Sequence, residues 1–430
     1  MAAKVQTKIE KVTARGGIFY AESSFRGLQL DKLIKNELGL RSTSHNAFQW
    51  DEIISALFCT CLCGGDYLED VNEIGKDLRL APVAHVPSSD TIGRALKQLA
   101  VDDEVYTSKC SGKSYAFNTN PRLNNLLLES AVCMGLLKRG QMVDVDFDHV
   151  FTPCHKYDAK YSYKQDYGYF PGVYSIGGVM AYLENRDGNT PVKYHQAGTH
   201  ERAFALFRSK GFTVRQFRAD CGSYSEDIVR TADDNSLLFY LRAADSQSLY
   251  AQIQRITKWE AVEINCQKCE VASIMFDQFL EDRHFRLVVQ RTEVEEDPLM
   301  QDLFGEKYVY RCILTNDWER TEREIIVLYN QRGAREKDFD SLNNDFMWKH
   351  LPCSFLKENT VFMILMAMCK NFFTYLMGKL AGLFLGIVPN GRLKRFVFHF
   401  IAVPAKWIRT SRTWVLKFYS DRPYDKLVFT

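Results

Sequence analysis

The stretch MVDVDFDHV, residues 142–150, sets Asp144, Asp146 and Asp148 at alternate positions inside an otherwise apolar run. Side chains alternate across a β-strand, so this segment places three carboxylates on one face and Val143, Val145 and Phe147 on the other. The apolar face demands a core. The acid face is harder to explain, because neighbouring carboxylates repel and raise one another's pKa unless a cation stands among them. Two readings follow from the strand alone: a solvated edge with its polar face to water, or one wall of a metal site. Acids elsewhere in the chain must decide.

A chain of 430 residues, 46% hydrophobic and 25% charged, has the composition of a globular protein with a real core and room for several domains. Its twelve cysteines form no even framework, and the N-terminal MAAKVQTKIEKV lacks an apolar signal core. Free thiols in a reducing, cytoplasmic setting are expected. Cys266 and Cys269 make a C-x-x-C, but no second pair follows at zinc spacing. The net charge of +2 is unevenly spread: Asn359 to Ser420 holds nine Lys or Arg and no acid. Such a segment suits a polyanion. It also contains VFMILMAMCKNFFTYLMGKLAGLFLGIV, which Lys370 and Lys379 interrupt, so a buried helix or helical hairpin is expected rather than a membrane span.

Apolar residues recur at three-to-four spacing through residues 1–138, predicting a helical domain. Within it VPSSDTIGRALKQLA carries helix start signals followed by Arg94, Lys97 and Gln98 on an exposed face. That helix is either the recognition helix of a helix-turn-helix or a basic surface helix. From 139 to 246 the texture is three strands, then helix, strand, helix, strand, an order that resembles a ribonuclease-H-like core. Residues 247–327 read as a β-rich insertion that includes the acidic EVEEDP, 328–350 as a helix completing the core, and 351–430 as a basic helical region.

Two further motifs carry acids. The strand TVRQFRAD ends on Asp220 beside Gly222, where the acid is placed either to reach a site next to the first strand or to cap the helix that SYSED begins. In YNQRGAREKDFDSLNN, Tyr329, Arg332 and Glu336 fall at i, i+3 and i+7, one face of a helix, with Asn343 slightly off that stripe.

Together these residues resemble the DDE transposases of bacterial insertion sequences, in the branch marked by Tyr-x2-Arg-x3-Glu-x6-Lys. Tyr329, Arg332 and Glu336 match at the right spacing; Asn343 stands at the Lys position and departs from the pattern. DVDFD resembles the first-Asp strand, YSYKQDYGYFPGVY the Tyr/Gly/Pro-rich segment after it, and FRADCGSYSED the second-Asp motif.

The resemblance implies an α/β (α+β) fold with a ribonuclease-H-like core interrupted by the insertion. It implies that Asp146, Asp220 and Glu336 hold two Mg²⁺ or Mn²⁺ ions for phosphodiester cleavage and strand transfer, with Asp144 as the fallback first ligand. Tyr329 and Arg332 would act on DNA beside the ions. Arg94, Lys97 and Gln98 would read the element's terminal repeat, and Lys406, Arg409 and Arg412 would hold phosphates. Trp259 and Trp318 are candidates for stacking on a displaced base, against a packing role in the insertion. Double-stranded DNA as transposon end and target, a homodimer when DNA-bound, no membrane, and a bacterial cytoplasmic location complete the expectation. Two alternatives remain: a metal-dependent nuclease of the same fold, and a transposase-derived DNA-binding protein without catalysis, to which Asn343 points.

Overall fold

The computed structural model describes residues 3–6, 10–82, 84–293 and 308–429, with the side chains of 334–336 outside that set. Five helices open the chain: α1 (Ile18–Gly27), α2 (Leu30–Leu38), α3 (Trp50–Leu62), α4 (Val71–Leu78) and α5 (Ser89–Leu99). Their ends follow local chemistry. Ser88 accepts a hydrogen bond from the Thr91 N–H to cap α5, and Gln49 with Glu52 closes a reciprocal cap on α3. The front region is not wholly helical, since β1 (Glu104–Thr107) and β2 (Ser114–Asn118) form a hairpin before α6 (Pro121–Cys133).

The acid-bearing strand is β3 (Met142–His149). A small separate sheet follows, made of β4 (Thr152–Pro153), β5 (Lys160–Tyr161) and β6 (Tyr167–Tyr169). Then come β7 (Gly172–Ile176), β8 (Val179–Arg186), α7 (Gln196–Ser209), β9 (Thr213–Ala219), α8 (Glu226–Asn235) and β10 (Leu238–Arg242); the three strands expected before the helix arise because GVYSIGGVMAYLE folds back into β7 and β8, while PVKYHQAG, expected as the third strand, forms a turn and the start of α7. Beyond α9 (Gln247–Ile253) lie β11 (Glu260–Ile264), β12 (Gln267–Phe276), β13 (Phe285–Glu293) and β14 (Tyr308–Thr315). The acidic EVEEDP begins at Glu293, and the rest of it lies outside the described residues.

Among the described residues the main sheet runs β1-β2-β8-β7-β3-β9-β10-β14-β13-β12-β11. β9 is parallel to β3 and β10 to β9, while β7, β8 and the outer strands pair antiparallel. The strands of 247–327 therefore continue the sheet rather than standing apart: β14 pairs with the otherwise open edge of β10, satisfying its backbone groups. At the far edge β2 does the same for β8.

Alternation in β3 places Val143, Val145 and Phe147 in a core with Phe204 and Phe207 of α7 and Ile228 of α8. On the acid-bearing side, the signature residues do not share one helix. α10 (Glu322–Asn330) ends just after Tyr329, a 3-10 segment spans Gln331–Arg335 with Arg332 in it, and α11 (Glu336–Asp345) starts on Glu336. Gly333 sits at the break, where its backbone freedom makes continued α-helix costly by about 1 kcal/mol relative to Ala.

The C-terminal region is also mixed. After α12 (Leu356–Leu380) and the single turn α13 (Leu393–Phe396), β15 (Ala405–Thr410) and β16 (Thr413–Phe418) form a hairpin. α12 is long and apolar enough to cross a membrane by length and composition, yet 83% of its most apolar window is buried, against α3, α5, α6 and β8. Asn371 fastens it to the sheet, accepting from the Met180 N–H at 2.9 Å and donating to the Met180 carbonyl at 2.8 Å. Thr13 bridges to Ala405, and residues of α1 to α5, α12 and the C-terminal segment fill one hydrophobic core. Residues 1–138 and 351–430, read above as separate regions, thus pack as one body, because α12 is covered around most of its length and leaves no boundary between them.

Candidate active site

β3 and β9 run side by side with Asp146 opposite Arg218, and the register slips between Val143 and Asp144, leaving Arg215 as an extra residue on β9. Each acid of β3 then meets a different arginine. Asp144 is bound by Arg215 at 2.8 and 2.5 Å, a half-exposed pair. Asp146 is buried and held in both oxygens by Arg218, at 2.6 and 2.9 Å, while Arg218 also donates to the Leu328 carbonyl. Asp148 accepts from Arg332 at 2.8 Å. The two bidentate pairs from β9 fix that strand against the acid strand, and the bonds from Arg218 to Leu328 and from Arg332 to Asp148 tie α10 and the 3-10 segment after it to the same face.

Asp220 follows the end of β9. Its Oδ1 accepts the Gly222 N–H at 2.9 Å, and a β-carbon on Gly222 would stand 2.5 Å from Val192, so the turn accepts only glycine without a shift. Asp220 and Asp148 line one cavity of about 460 Å³ with Tyr163, Lys164, Val192 and Phe339. Burial pushes the Asp148 carboxyl up to about 6; Arg332 opposes the rise and the charge of Asp220 adds to it. Burial opposes the charge on Arg332 too, but Asp148 and Tyr329 together outweigh it and keep the guanidinium protonated beyond its ordinary range. Tyr329 is buried, donates to the Ala219 carbonyl at 3.2 Å, and lies with its ring 5.9 Å from Arg332. Burial raises its hydroxyl pKa.

The structure therefore brings Asp148, Asp220, Tyr329 and Arg332 together, with the Asp146–Arg218 pair beneath them. Glu336 opens α11 beside this group, and its side chain lies outside the described residues. The residues that sequence reasoning passed over are Arg218 and the pairing role of Asp148. Asp148 was visible as the third alternate acid; Arg218, two residues before Asp220, was readable as sharing its strand face. Asn343 is half-buried on α11, and its Oδ1 has no hydrogen-bond partner among the described residues.

The distal candidates are scattered. Arg94, Lys97 and Gln98 lie exposed on α5, with Gln98 accepting from Arg41 at 2.9 Å. Arg409 and Arg412 are exposed on the terminal hairpin and Lys406 approaches Glu10 at 3.4 Å. Trp259 is covered by the Arg291 guanidinium at 4.0 Å, which favours its packing role, whereas Trp318 is 52% exposed.

With this geometry in view, the family model described as transposase DDE domain group 1 matches residues 2–430. The chain belongs to that family. Its members are transposases, and DDE transposases generally act with divalent metal ions. No curated protein matches this chain. Among solved structures, a cryo-EM piggyBac transposase synaptic complex with hairpin DNA is similar at 12% identity and a TM-score of 0.43, over 88% of this chain and 77% of that one.

The donor set of this transposase fits such ions in kind. Asp148 and Asp220 offer hard carboxylate oxygens to one cavity, where burial, with a smaller contribution from the charge of Asp220, makes Asp148 reluctant to ionise. Among the described residues no three His, Cys, Asp or Glu side chains stand close enough to hold a metal.

Proposed function

We propose that this chain is a DNA transposase of a bacterial insertion sequence, binding the element's inverted-repeat ends and catalysing metal-dependent strand cleavage and strand transfer. The observation that carries the reading is the family match along residues 2–430 combined with the facing Asp148 and Asp220 beside Arg332. The strand order β8-β7-β3-β9-β10, with β9 and β10 parallel to β3, supports the ribonuclease-H-like reading of the core. The Tyr329, Arg332 and Glu336 spacing supports the insertion-sequence branch, although the three residues lie on successive short elements.

In this reading Asp220, Glu336 and an acid of β3 hold two Mg²⁺ or Mn²⁺ ions, which supply charge stabilisation for in-line attack at phosphorus. Asp146 qualifies as the β3 ligand if DNA draws Arg218 onto a phosphate; Asp148 qualifies by facing Asp220 directly. Arg332, fixed over Tyr329, presents its remaining N–H groups toward a phosphate near the cut, since a guanidinium fits phosphate in fork geometry. Tyr329 holds that arginine in place through its ring and anchors the segment to β9 through its hydroxyl. Exposed Arg94, Lys97 and Gln98 read the terminal repeat, and Lys406, Arg409 and Arg412 add phosphate contacts. Pairing two ends calls for a homodimer in the DNA complex, in the cytoplasm and without a membrane.

The test is nicking of a duplex carrying the inverted repeats that flank this coding sequence, with and without Mg²⁺. Cleavage at the repeat ends that Asp220→Asn abolishes is the expected result. Cleavage at arbitrary sequence would favour a nuclease, and repeat binding without any cleavage would favour a DNA-binding derivative.

A further inference from the structure

Arg186, the last residue of β8, is only 2% exposed, and its guanidinium pairs with no carboxylate among the described residues. Its Nε donates to the Phe170 carbonyl at 3.1 Å and its Nη1 to the Val192 carbonyl at 3.1 Å, while Nη2 is buried with no hydrogen-bond partner among the described residues. Glu184, two residues back on the same strand, favours the charge but is itself occupied, held by Arg202 at 2.7 and 3.0 Å and by the Thr199 hydroxyl at 2.7 Å. Burial pushes the Arg186 pKa down to about 9, with Glu184 opposing, so the side chain stays charged at neutral pH. A buried cation without a paired anion destabilises the fold around it, so an anion is expected to arrive from outside.

Both carbonyls that hold Arg186 belong to walls of the cavity shared by Asp148 and Asp220, since Phe170 and Val192 line it. On one side the Phe170 ring stands 5.3 Å from the guanidinium and 5.3 Å from the His149 ring stacked on it, and the His149 N–H donates to Asp148 Oδ1 at 2.9 Å. On the other, Val192 packs so closely on Gly222 that a β-carbon there would stand 2.5 Å from it, and the Gly222 N–H is the donor to Asp220. Arg186 thus reaches each acid through one wall of the cavity.

We propose that Arg186 is a positioning residue of this cavity: through two backbone carbonyls it fixes the walls carrying Asp148 and Asp220, and its charge favours entry of the DNA phosphodiester between them. The proposal rests on the transposase reading above and adds to it a cation that touches neither metal nor DNA. Two carboxylates repel the phosphate they must admit, and a fixed positive charge buried behind them offsets part of that repulsion without filling the cavity. The same charge works against a divalent cation. Removing it should therefore shift the two ligands in opposite directions, which a loosened fold would not do.

Full-length wild type is compared with Arg186→Gln and Arg186→Lys in two equilibrium measurements. One follows melting temperature against Mg²⁺ concentration without DNA; the other titrates a duplex carrying the flanking inverted repeats without metal. Arg186→Gln is expected to reach half its Mg²⁺-dependent rise at about tenfold lower concentration and to bind the duplex about tenfold more weakly, the scale of one charge acting through a protein interior. Arg186→Lys keeps the charge and stays near wild type in both. Should Arg186→Gln melt too early to measure, Arg186→Met, which fills the buried site without polar atoms, is read in the same way. Neutral variants that weaken both ligands, or move neither, overturn the proposal. So does an Arg186→Lys that behaves like the neutral variants, because the guanidinium fork and not the charge would then matter. A wild type that neither binds the repeat duplex nor nicks it with Mg²⁺ fails the transposase reading, whereas wild-type binding and nicking with no opposed shift in the neutral variants fails this proposal alone.

Discussion

Asp148 offers a stability signature that needs no DNA. Its carboxyl is pushed from an ordinary 3.8 to about 6 by burial and by Asp220, against the pull of Arg332. A rise of roughly two units corresponds to about 3 kcal/mol, since each unit is worth about 1.4 kcal/mol. The sign follows from linkage: the folded state binds this proton more tightly than the unfolded chain, so its contribution is fully present below about pH 4. It is lost as pH rises through about 6, and stays lost above. In Asp148→Asn that component is absent, so the difference between variant and wild type should change by about 3 kcal/mol across pH 4 to 7, in favour of the variant. With an unfolding entropy of about 2.1 cal/mol/K per residue, this is roughly a 3 °C relative shift in Tm for a chain of this size. Thermal unfolding of both proteins at half-unit pH steps measures it. Parallel Tm profiles from pH 4 to 7 would refute the assignment of a buried, charge-poor Asp148. Mg²⁺ at pH 7.5 should raise the wild-type Tm more than that of Asp148→Asn, because a cation in the cavity offsets the buried carboxylate charge that is missing from the variant.

Further outcomes follow from other parts of the structure. Arg332→Ala should reduce end cleavage by far more than it lowers Tm, checked by nicking rates beside a melting curve; equal losses would make Arg332 a structural partner of Asp148 alone. Lys370, buried in α12, pairs with the partly exposed Asp338 of α11 at 3.0 Å, and Lys370→Met should destabilise the fold by about 2 kcal/mol in denaturant titration, the cost of leaving a half-solvated carboxylate without its hydrogen-bonded partner. Alanines at Lys406, Arg409 and Arg412 should weaken binding to all DNA and flatten the salt slope by about 3, one unit per lost phosphate contact; an unchanged slope in filter binding would remove the terminal hairpin from the DNA interface.

What the sequence determined by itself was whatever is periodic or local. The alternation around Asp144, Asp146 and Asp148 set β3 and its two faces, because side chains of a strand have no other choice. The start signals before Thr91 set α5, because a capping hydroxyl and its N–H are three residues apart. The spacing of Tyr329, Arg332 and Glu336 marked the right segment, but its single-helix reading yielded to Gly333 and a 3-10 turn. Tertiary structure decided the rest. Which arginine neutralises which acid depends on a register slip between β3 and β9, a one-residue matter that no spacing within either strand encodes. The union of the front helices with the C-terminal region around α12 joins residues hundreds of positions apart, where only the burial of an all-round apolar helix supplies the reason.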